Sequence, residues 1–98
     1  MSRGHGGVQR FVLEYLRAAG DDDREHAIGA ITHAWVRARE GREAEVSRSD
    51  VESVRRAVKS LARERLVRVE HRNPGGWGPP YLLAYADEVL AARDHRLA

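Results

Sequence analysis

The chain has 98 residues, enough for one small domain with a modest core and too few for two domains. Charged residues make up 33% of it and no apolar run approaches the roughly 20 residues that cross a bilayer, which excludes a membrane span. The absence of cysteine excludes disulfides, thiolate metal sites and cysteine nucleophiles. The first ten residues, MSRGHGGVQR, lack the apolar core of a signal peptide. We therefore expect a cytoplasmic protein in which residues 1–7 are a flexible lead-in.

Positive charge is concentrated in one part of the chain. The net charge is only +2, but residues 48–72 contain eight Arg or Lys against four Asp or Glu. The remainder contains nine basic and eleven acidic residues, so it is net negative. Because a local excess of positive charge attracts a polyanion more than the total charge does, this segment is the first candidate for a binding surface.

Two amphipathic helices are predicted in the first half of the chain. Helical spacing over residues 8–19 places six apolar side chains on one face: Val8, Phe11, Val12, Tyr15, Leu16 and Ala19. A second helix is predicted over 23–39, with Asp22 and Glu25 as a capping box and Gly41 beyond its end. Its apolar face is Ala27, Ile28, Ile31, Ala34, Trp35 and Ala38. The aromatic residues on these two faces are expected in the core: Phe11, Tyr15 and Trp35.

A third helix is predicted over residues 48–64. Its N-cap is Ser47 or Ser49, and we favour Ser47, since Val46 and Val51 then fall at the two positions that form a hydrophobic staple. Its buried face is expected to be Val51, Val54, Val58, Leu61 and Ala62. Valine is only a fair helix former, so packing must hold this helix more than intrinsic propensity does.

The hydrophobic period changes after the third helix. In LVRVEHR, Val67 and Val69 alternate with Arg68 and Glu70, which is typical of a strand. The run NPGGWGPP cannot continue a strand, and YLLAYA is typical of a returning one, so residues 66–86 are predicted to form a hairpin with a wide tip. A last short helix is predicted over 87–96. The element order indicates an α+β, mostly α, fold: a three-helix bundle, a β-hairpin and a short C-terminal helix.

The third helix and the hairpin together resemble the winged helix-turn-helix DNA-binding domain of GntR-like and MarR-like transcriptional regulators. Those families show a stretch similar to T-V-R-R-A-L-x-x-L-x-x-x-G-L-V. The matching residues here are Ser53, Val54, Arg55, Arg56, Ala57, Val58, Leu61, Leu66 and Val67. The resemblance implies that helix 48–64 is the recognition helix and that the hairpin is the wing. The chain departs from the pattern at Arg65, where the families have glycine, and in its longer connection between the second and third helices.

The outward face of the third helix is the candidate DNA-reading surface. At about 100° per residue, the side opposite the apolar face carries six residues: Ser49, Glu52, Ser53, Arg56, Ser60 and Arg63. Lys59 falls at one edge of that side and Arg55 at the border with the core. Arginine can bind guanine through two hydrogen bonds, serine suits base edges or phosphate, and glutamate can accept from cytosine. Arg56 and Ser53 are the main candidates for base contact, the resemblance adds Arg55, and the cations suited to phosphates are Arg48, Lys59 and Arg63.

The hairpin supplies further candidates near its tip. Arg72 and Asn73 can donate hydrogen bonds to a phosphate or to a minor-groove edge. Trp77 either packs back onto Tyr81 or Pro79 or contacts a sugar or the minor groove. A plainer alternative for the whole surface is also open, since an arginine-rich helix face can simply be solvated.

Catalytic and metal-binding patterns are missing from the sequence. No Gly-rich phosphate loop follows a strand, no G-x-S-x-G occurs and no Ser–His–Asp grouping is suggested. His26 and His33 are seven residues apart and could share a helix side, but two imidazoles without a third ligand make a poor metal site. We therefore expect a protein that is not an enzyme and that needs no cofactor or metal.

The sequence predicts a sequence-specific double-stranded DNA-binding protein, a small transcriptional regulator. Such proteins usually bind as two-fold dimers that read two half-sites, and the C-terminal segment 87–98 is the expected element of homodimerisation. The alternative is a winged-helix protein–protein module, with a DNA-architecture or replication accessory role between the two. A docking module should expose an apolar patch, whereas the third helix exposes arginine and serine.

Overall fold

The computed structural model describes residues 6–19, 23–72 and 81–97, and within these ranges it has four α-helices and one antiparallel hairpin. The elements are α1 Gly7–Ala18, α2 Ile28–Glu40, α3 Arg48–Arg63, β1 Val67–Arg72, β2 Tyr81–Ala86 and α4 Asp87–Leu97. The expected α+β, mostly helical, class is confirmed. Three predictions lie outside the described residues: the lead-in before Gly6, the cap at Asp22, and the hairpin tip 73–80 with Trp77.

The start of the second helix differs from the prediction. Asp23–His26 form a short 3₁₀ helix, and α2 begins only at Ile28. Ala27 between them is extended, with φ −68° and ψ 145°, and forms an isolated antiparallel bridge with Leu83 of β2. In a continuous helix the N–H and C=O groups of Ala27 would be used in helical hydrogen bonds. The bridge to Leu83 therefore requires the helix to be interrupted at Ala27.

His26 is buried beside the hairpin. It is fully inaccessible to solvent, its Nδ1 lies 2.8 Å from the carbonyl oxygen of Ala84, and its ring stacks on Tyr85 with centroids 4.2 Å apart. His33 lies on the exposed side of α2. The two histidines therefore do not share a helix side, and His26 has a structural role that links the region before α2 to β2.

The main core lies between α1, α2 and α3 and one face of the hairpin. α3 buries four residues to 2% exposure or less: Val54, Ala57, Val58 and Leu61. α1 and α2 add Val12, Leu13, Leu16, Ile28 and Ile31. Two residues of the face predicted for α3, Val51 and Ala62, are only half-buried, and Ala57 is buried in addition. The core therefore fixes which side of α3 faces outward.

β2 is buried on both faces. Val67 and Val69 of β1 pair with Ala86 and Ala84, and these residues pack on the main core. On the other face Leu83 and Tyr85 form a second small cluster with Leu90 of α4 and Ala27. Because Ala27 bridges β2 on the side away from β1, β2 is the central strand of this small assembly.

The aromatic residues predicted for the core lie at its edge. Phe11, Tyr15 and Trp35 are half-buried. The centroid of the Phe11 ring lies 5.4 Å from that of Trp35 and 6.1 Å from that of Tyr15. The Tyr15 hydroxyl donates to Glu25 Oε2 at 2.9 Å. Desolvation and the neighbouring Glu25 carboxylate raise the pKa of Tyr15 to about 12. The expected place in the core is confirmed in part: Tyr15 and Trp35 pack against the main core, while the Tyr15 hydroxyl and the Arg39 guanidinium over the Trp35 ring lie at its edge.

Candidate nucleic-acid interface

A capping box fixes the start of α3. Ser47 Oγ accepts a hydrogen bond from the Asp50 N–H at 3.1 Å, and Asp50 Oδ2 accepts one from the Ser47 N–H at 3.0 Å. The predicted N-cap at Ser47 is thus confirmed, while Val46 remains 37% exposed. Hydrogen bonds from Ser47, and then the ion pair with Arg39 at 3.0 Å, hold the pKa of Asp50 below its ordinary value of 3.8. Because Arg39 belongs to α2, the same box ties α3 to its neighbour.

Arg65 ends α3 in a left-handed conformation, with φ 63°. The Leu66 N–H donates to the Leu61 carbonyl at 3.0 Å and the Arg65 N–H donates to the Ala62 carbonyl at 3.0 Å, the two bonds of a Schellman motif. This turn, for which glycine is the usual residue, is therefore made here by a residue with a Cβ, at a cost in backbone strain. This turn leads the chain directly from α3 into β1.

The side of α3 turned away from the core carries most of the predicted site. Seven residues are exposed: Arg48, Ser49, Glu52, Arg55, Arg56, Lys59 and Arg63. Arg55 was expected at the border with the core, but 45% of its side chain is exposed, so the open face is rotated toward it. Ser53 and Ser60 are half-buried, which weakens the assignment of Ser53 as a base reader. Of the hairpin candidates, Arg72 ends β1 opposite Tyr81, while its side chain and the whole of Asn73 lie outside the described residues.

Two clefts flank this open face. The first, about 450 Å³, lies between α3 and the hairpin, and the second, about 410 Å³, lies between α3 and the start of α1. Lys59 and Arg63 line both clefts because they project from the centre of the face. Ser53, Arg56 and Ser60 line only the second, opposite Val8 and Gln9. The predicted surface is therefore divided into a flank toward the hairpin and a flank toward α1.

The cations of α3 are largely free of acidic partners. The Arg55 Nη1 lies 3.9 Å from Glu52 Oε1, both half-exposed, and this is a weak intrahelical pair. No carboxylate within the described ranges pairs with Arg48, Arg56, Lys59 or Arg63. The exposed face thus carries five cations and one carboxylate, and a polyanion would meet a nearly uncompensated positive surface.

α4 is bound to the body of the chain by ion pairs. Arg68 Nε donates to Asp87 Oδ1 at 2.6 Å and Arg68 also reaches Asp94 at 3.5 Å, while Arg17 pairs with Glu88. Its outward positions hold no large apolar side chain among the described residues: Glu88, Ala91, Ala92, Asp94 and His95. Homodimerisation through this segment therefore has no apolar surface to support it in the described part of α4, and it stays a prediction.

Two residues that line the clefts were missed by the sequence analysis. His71 shares a face of β1 with Val67 and Val69, because side chains on a strand alternate between its two faces. This alternation was sufficient to place His71 on the face that packs against α3. Gln9 carries no such signal, because its position depends on how α1 packs across α3.

The described residues contain neither a candidate metal site nor a candidate membrane span. No group of three or more His, Asp or Glu side chains there is placed to hold a metal ion. None of the helices in those ranges has the length and apolar character that a membrane span requires. In comparisons with known proteins, no family model, curated protein or solved structure matched the chain. Function is therefore inferred from the chemistry of the α3 surface.

Proposed function

We propose that this chain is a winged helix-turn-helix protein that binds double-stranded DNA, with α3 in the major groove and the hairpin as the wing. The observation that carries the proposal is the row of α3 cations that no carboxylate of the described residues neutralises. The order α1, α2, α3, hairpin supports it, as does the stretch SVRRAV at residues 53–58. A solvated helix face with no partner explains these features less well, since Arg68 on the neighbouring hairpin has two acidic partners, Asp87 and Asp94.

The diameter of α3 suits the major groove of double-stranded DNA. An α-helix with its side chains is about 10–12 Å across and the major groove is about 12 Å wide. α3 is anchored beneath by Val54, Val58 and Leu61, so its exposed side projects without needing to rearrange. Arg56 is the best candidate for a base contact, because it is exposed and its guanidinium can bind guanine O6 and N7 together. Lys59, Arg63 and Arg48 suit phosphates on either side.

The test is a fluorescence anisotropy titration with a random-sequence duplex at two salt concentrations. Each phosphate contact should contribute about −0.9 to the slope of log K against log salt, so we expect a slope of roughly −3 or steeper. No binding at low salt would contradict the proposal and would leave the protein-docking module as the alternative. That module should expose an apolar patch, whereas Val46 is the one large apolar side chain that is well exposed in the described part of the chain.

A role as a small transcriptional regulator requires sequence preference. Selection of bound duplexes from a random pool tests this directly, and a palindromic consensus would show that two copies bind together. A pool that shows no enrichment would favour the DNA-architecture role, in which backbone contacts dominate.

A further inference from the structure

Lys59 differs chemically from every other cation of the exposed α3 face. Of the 17 Lys and Arg residues in the chain, it alone is lysine. It is exposed, and it lines both clefts beside α3. A guanidinium stays charged, whereas an ammonium can lose a proton and become a nucleophilic amine that is open to acylation. The centre of this face therefore holds the one cation of α3 whose charge a covalent modification of an amine can remove.

Three guanidiniums surround the Lys59 amine. Arg55 and Arg56 lie one helical turn before it, and Arg63 lies one turn after it. Side chains three or four positions apart on a helix are neighbours, with about 5–6 Å between their Cβ atoms. No carboxylate of the described residues pairs with Arg56 or Arg63. A small phosphate dianion bound by these two arginines would therefore lie beside the amine.

The cleft toward α1 has room for a group attached to that phosphate. Its volume is about 410 Å³, and both Arg56 and Arg63 line it together with Lys59. Ser60 and Gln9 also line it, and each can donate a hydrogen bond to a carbonyl oxygen. None of its lining side chains among the described residues is a carboxylate. The cleft thus combines charged donors for a phosphate and neutral donors for an acyl oxygen with one nucleophile.

We propose that Lys59 is a modification site that is acylated by a small acyl phosphate bound between Arg56 and Arg63. The ammonium first gives a proton to water, and the lone pair of Nζ then attacks the acyl carbon. The new N–C bond forms as the bond from the acyl carbon to the phosphate oxygen breaks. Inorganic phosphate leaves with that electron pair, and the second proton of Nζ passes to water. The product is a neutral amide, so the reaction removes one positive charge from the face.

The experiment compares an anionic and a neutral acetyl donor, acetyl phosphate and N-acetoxysuccinimide, on the full chain. Peptide mass spectrometry follows acetylation of Lys59 separately from that of the α-amino group, with Nα-acetyl-lysine amide as the reference amine in the same tube. We expect the rate of Lys59 relative to the reference to be on the order of tenfold higher with acetyl phosphate than with the neutral donor. Inorganic phosphate should slow only the acetyl phosphate reaction. Equal relative rates, or no effect of inorganic phosphate, would overturn the proposal.

Two double variants locate the bound phosphate. Arg56→Gln with Arg63→Gln should abolish the preference of Lys59 for acetyl phosphate over the neutral donor. Arg37→Gln with Arg42→Gln is the matched control and should keep it, since both are exposed cations that line neither cleft. Thermal unfolding establishes that both variants are folded. A preference that survives in the first variant, or that is lost in both, would overturn the assignment.

The regulatory consequence rests on the proposed function. Lys59 is one of the cations assigned to DNA phosphates, so its acetylation should weaken binding of a random duplex and flatten the slope of log K against log salt by about 0.9. Lys59→Arg keeps the charge and has no amine to acetylate, so its treated and untreated forms should bind the duplex equally. An acetylated chain that binds as the unmodified chain does, or an equal loss in treated Lys59→Arg, would refute this consequence.

The modification and the proposed function can fail separately. Acetylation kinetics are measured without DNA, and duplex binding is measured on the unmodified chain. Preferred acetylation of Lys59 without duplex binding would support the modification site and refute the proposed function. Duplex binding without preferred acetylation would do the reverse.

Discussion

Two surfaces of this molecule are rich in arginine, but they differ in where the opposing charges lie. On the hairpin and α4, Arg68 is held by Asp87, which keeps the pKa of Arg68 above its ordinary value, and Arg93 lies between Glu70 and the Tyr85 ring. On α3, only Arg55 has an acidic partner among the described residues, Glu52 at 3.9 Å on the same helix. The number of cations therefore says little about a polyanion site. What distinguishes α3 from the hairpin and α4 is that four neighbouring cations, Arg48, Arg56, Lys59 and Arg63, are neutralised by no carboxylate of the described residues.

The largest effect should come from removing that charge. We expect the triple substitution Arg56→Gln, Lys59→Gln and Arg63→Gln to weaken duplex binding on the order of 100-fold. The free energy of unfolding should hardly change, because all three side chains are exposed and make no ion pair with a described residue. Anisotropy titration and urea unfolding measure the two quantities.

The matched triple on the other surface should behave in the opposite way. Arg17→Gln, Arg68→Gln and Arg93→Gln should change duplex affinity less than about threefold at moderate salt, while lowering the free energy of unfolding, because each removes an ion pair that docks α4 or the hairpin. If both triples weakened DNA binding equally, the distinction between neutralised and free cations would be wrong.

Two single substitutions in α3, compared with each other, distinguish a base contact from a phosphate contact. Arg56→Ala should cost about 1–3 kcal/mol on a selected site and reduce the preference for that site, whereas Lys59→Ala should weaken all sequences and flatten the salt slope by about 1. Affinities of each variant for selected and random duplexes decide this. An equal loss on every sequence with both variants would refute the role of Arg56 as a base reader.

The capping box is a smaller and pH-dependent contribution to α3. Ser47→Ala should lower the free energy of unfolding by about 1 kcal/mol. The pKa of Asp50 is lower in the folded chain than its ordinary 3.8, so the stabilisation by its carboxylate is present above pH 3.8 and is lost as pH falls through the folded value. Asp50→Asn should therefore reduce Tm at neutral pH, and the difference from wild type should vanish at a pH low enough to protonate Asp50 in the folded chain. A difference that persisted there would contradict the assignment.

The smallest effect is expected at Arg65. Arg65→Gly should raise the free energy of unfolding by about 0.5–1 kcal/mol, because relief of the left-handed strain exceeds the added flexibility of the unfolded chain. Arg65→Ala keeps the strain and serves as the control. Duplex affinity should stay within about twofold, since one exposed charge beyond the end of α3 is removed. A stability for the glycine variant no higher than that of the alanine variant would show that the turn is not strained.

Much of the fold was predictable because it depends on local patterns. Gly41, with φ 105°, ends α2 as expected, and Ser47 begins α3 through hydrogen bonds that reach only three residues. The break before α2 was not predictable, because it follows from the contacts of His26 and Ala27 with β2, more than fifty residues away in the chain. Local propensity at 23–27 favours a helix, and the tertiary contacts override it.

The amino-acid sequence by itself determined the element order, the start and end of α3 and the excess of positive charge along it, because these depend on side-chain periodicity and on neighbours within a few residues. The tertiary structure alone decided which of those cations remain free, since each pair such as Arg68 with Asp87 requires a particular docking of α4 on the hairpin. It also divided the α3 face into two flanks, with Ser53 toward α1 and Arg55 toward the hairpin. Helical periodicity defines an outward direction, but only the packing of neighbouring elements determines what lies beside it.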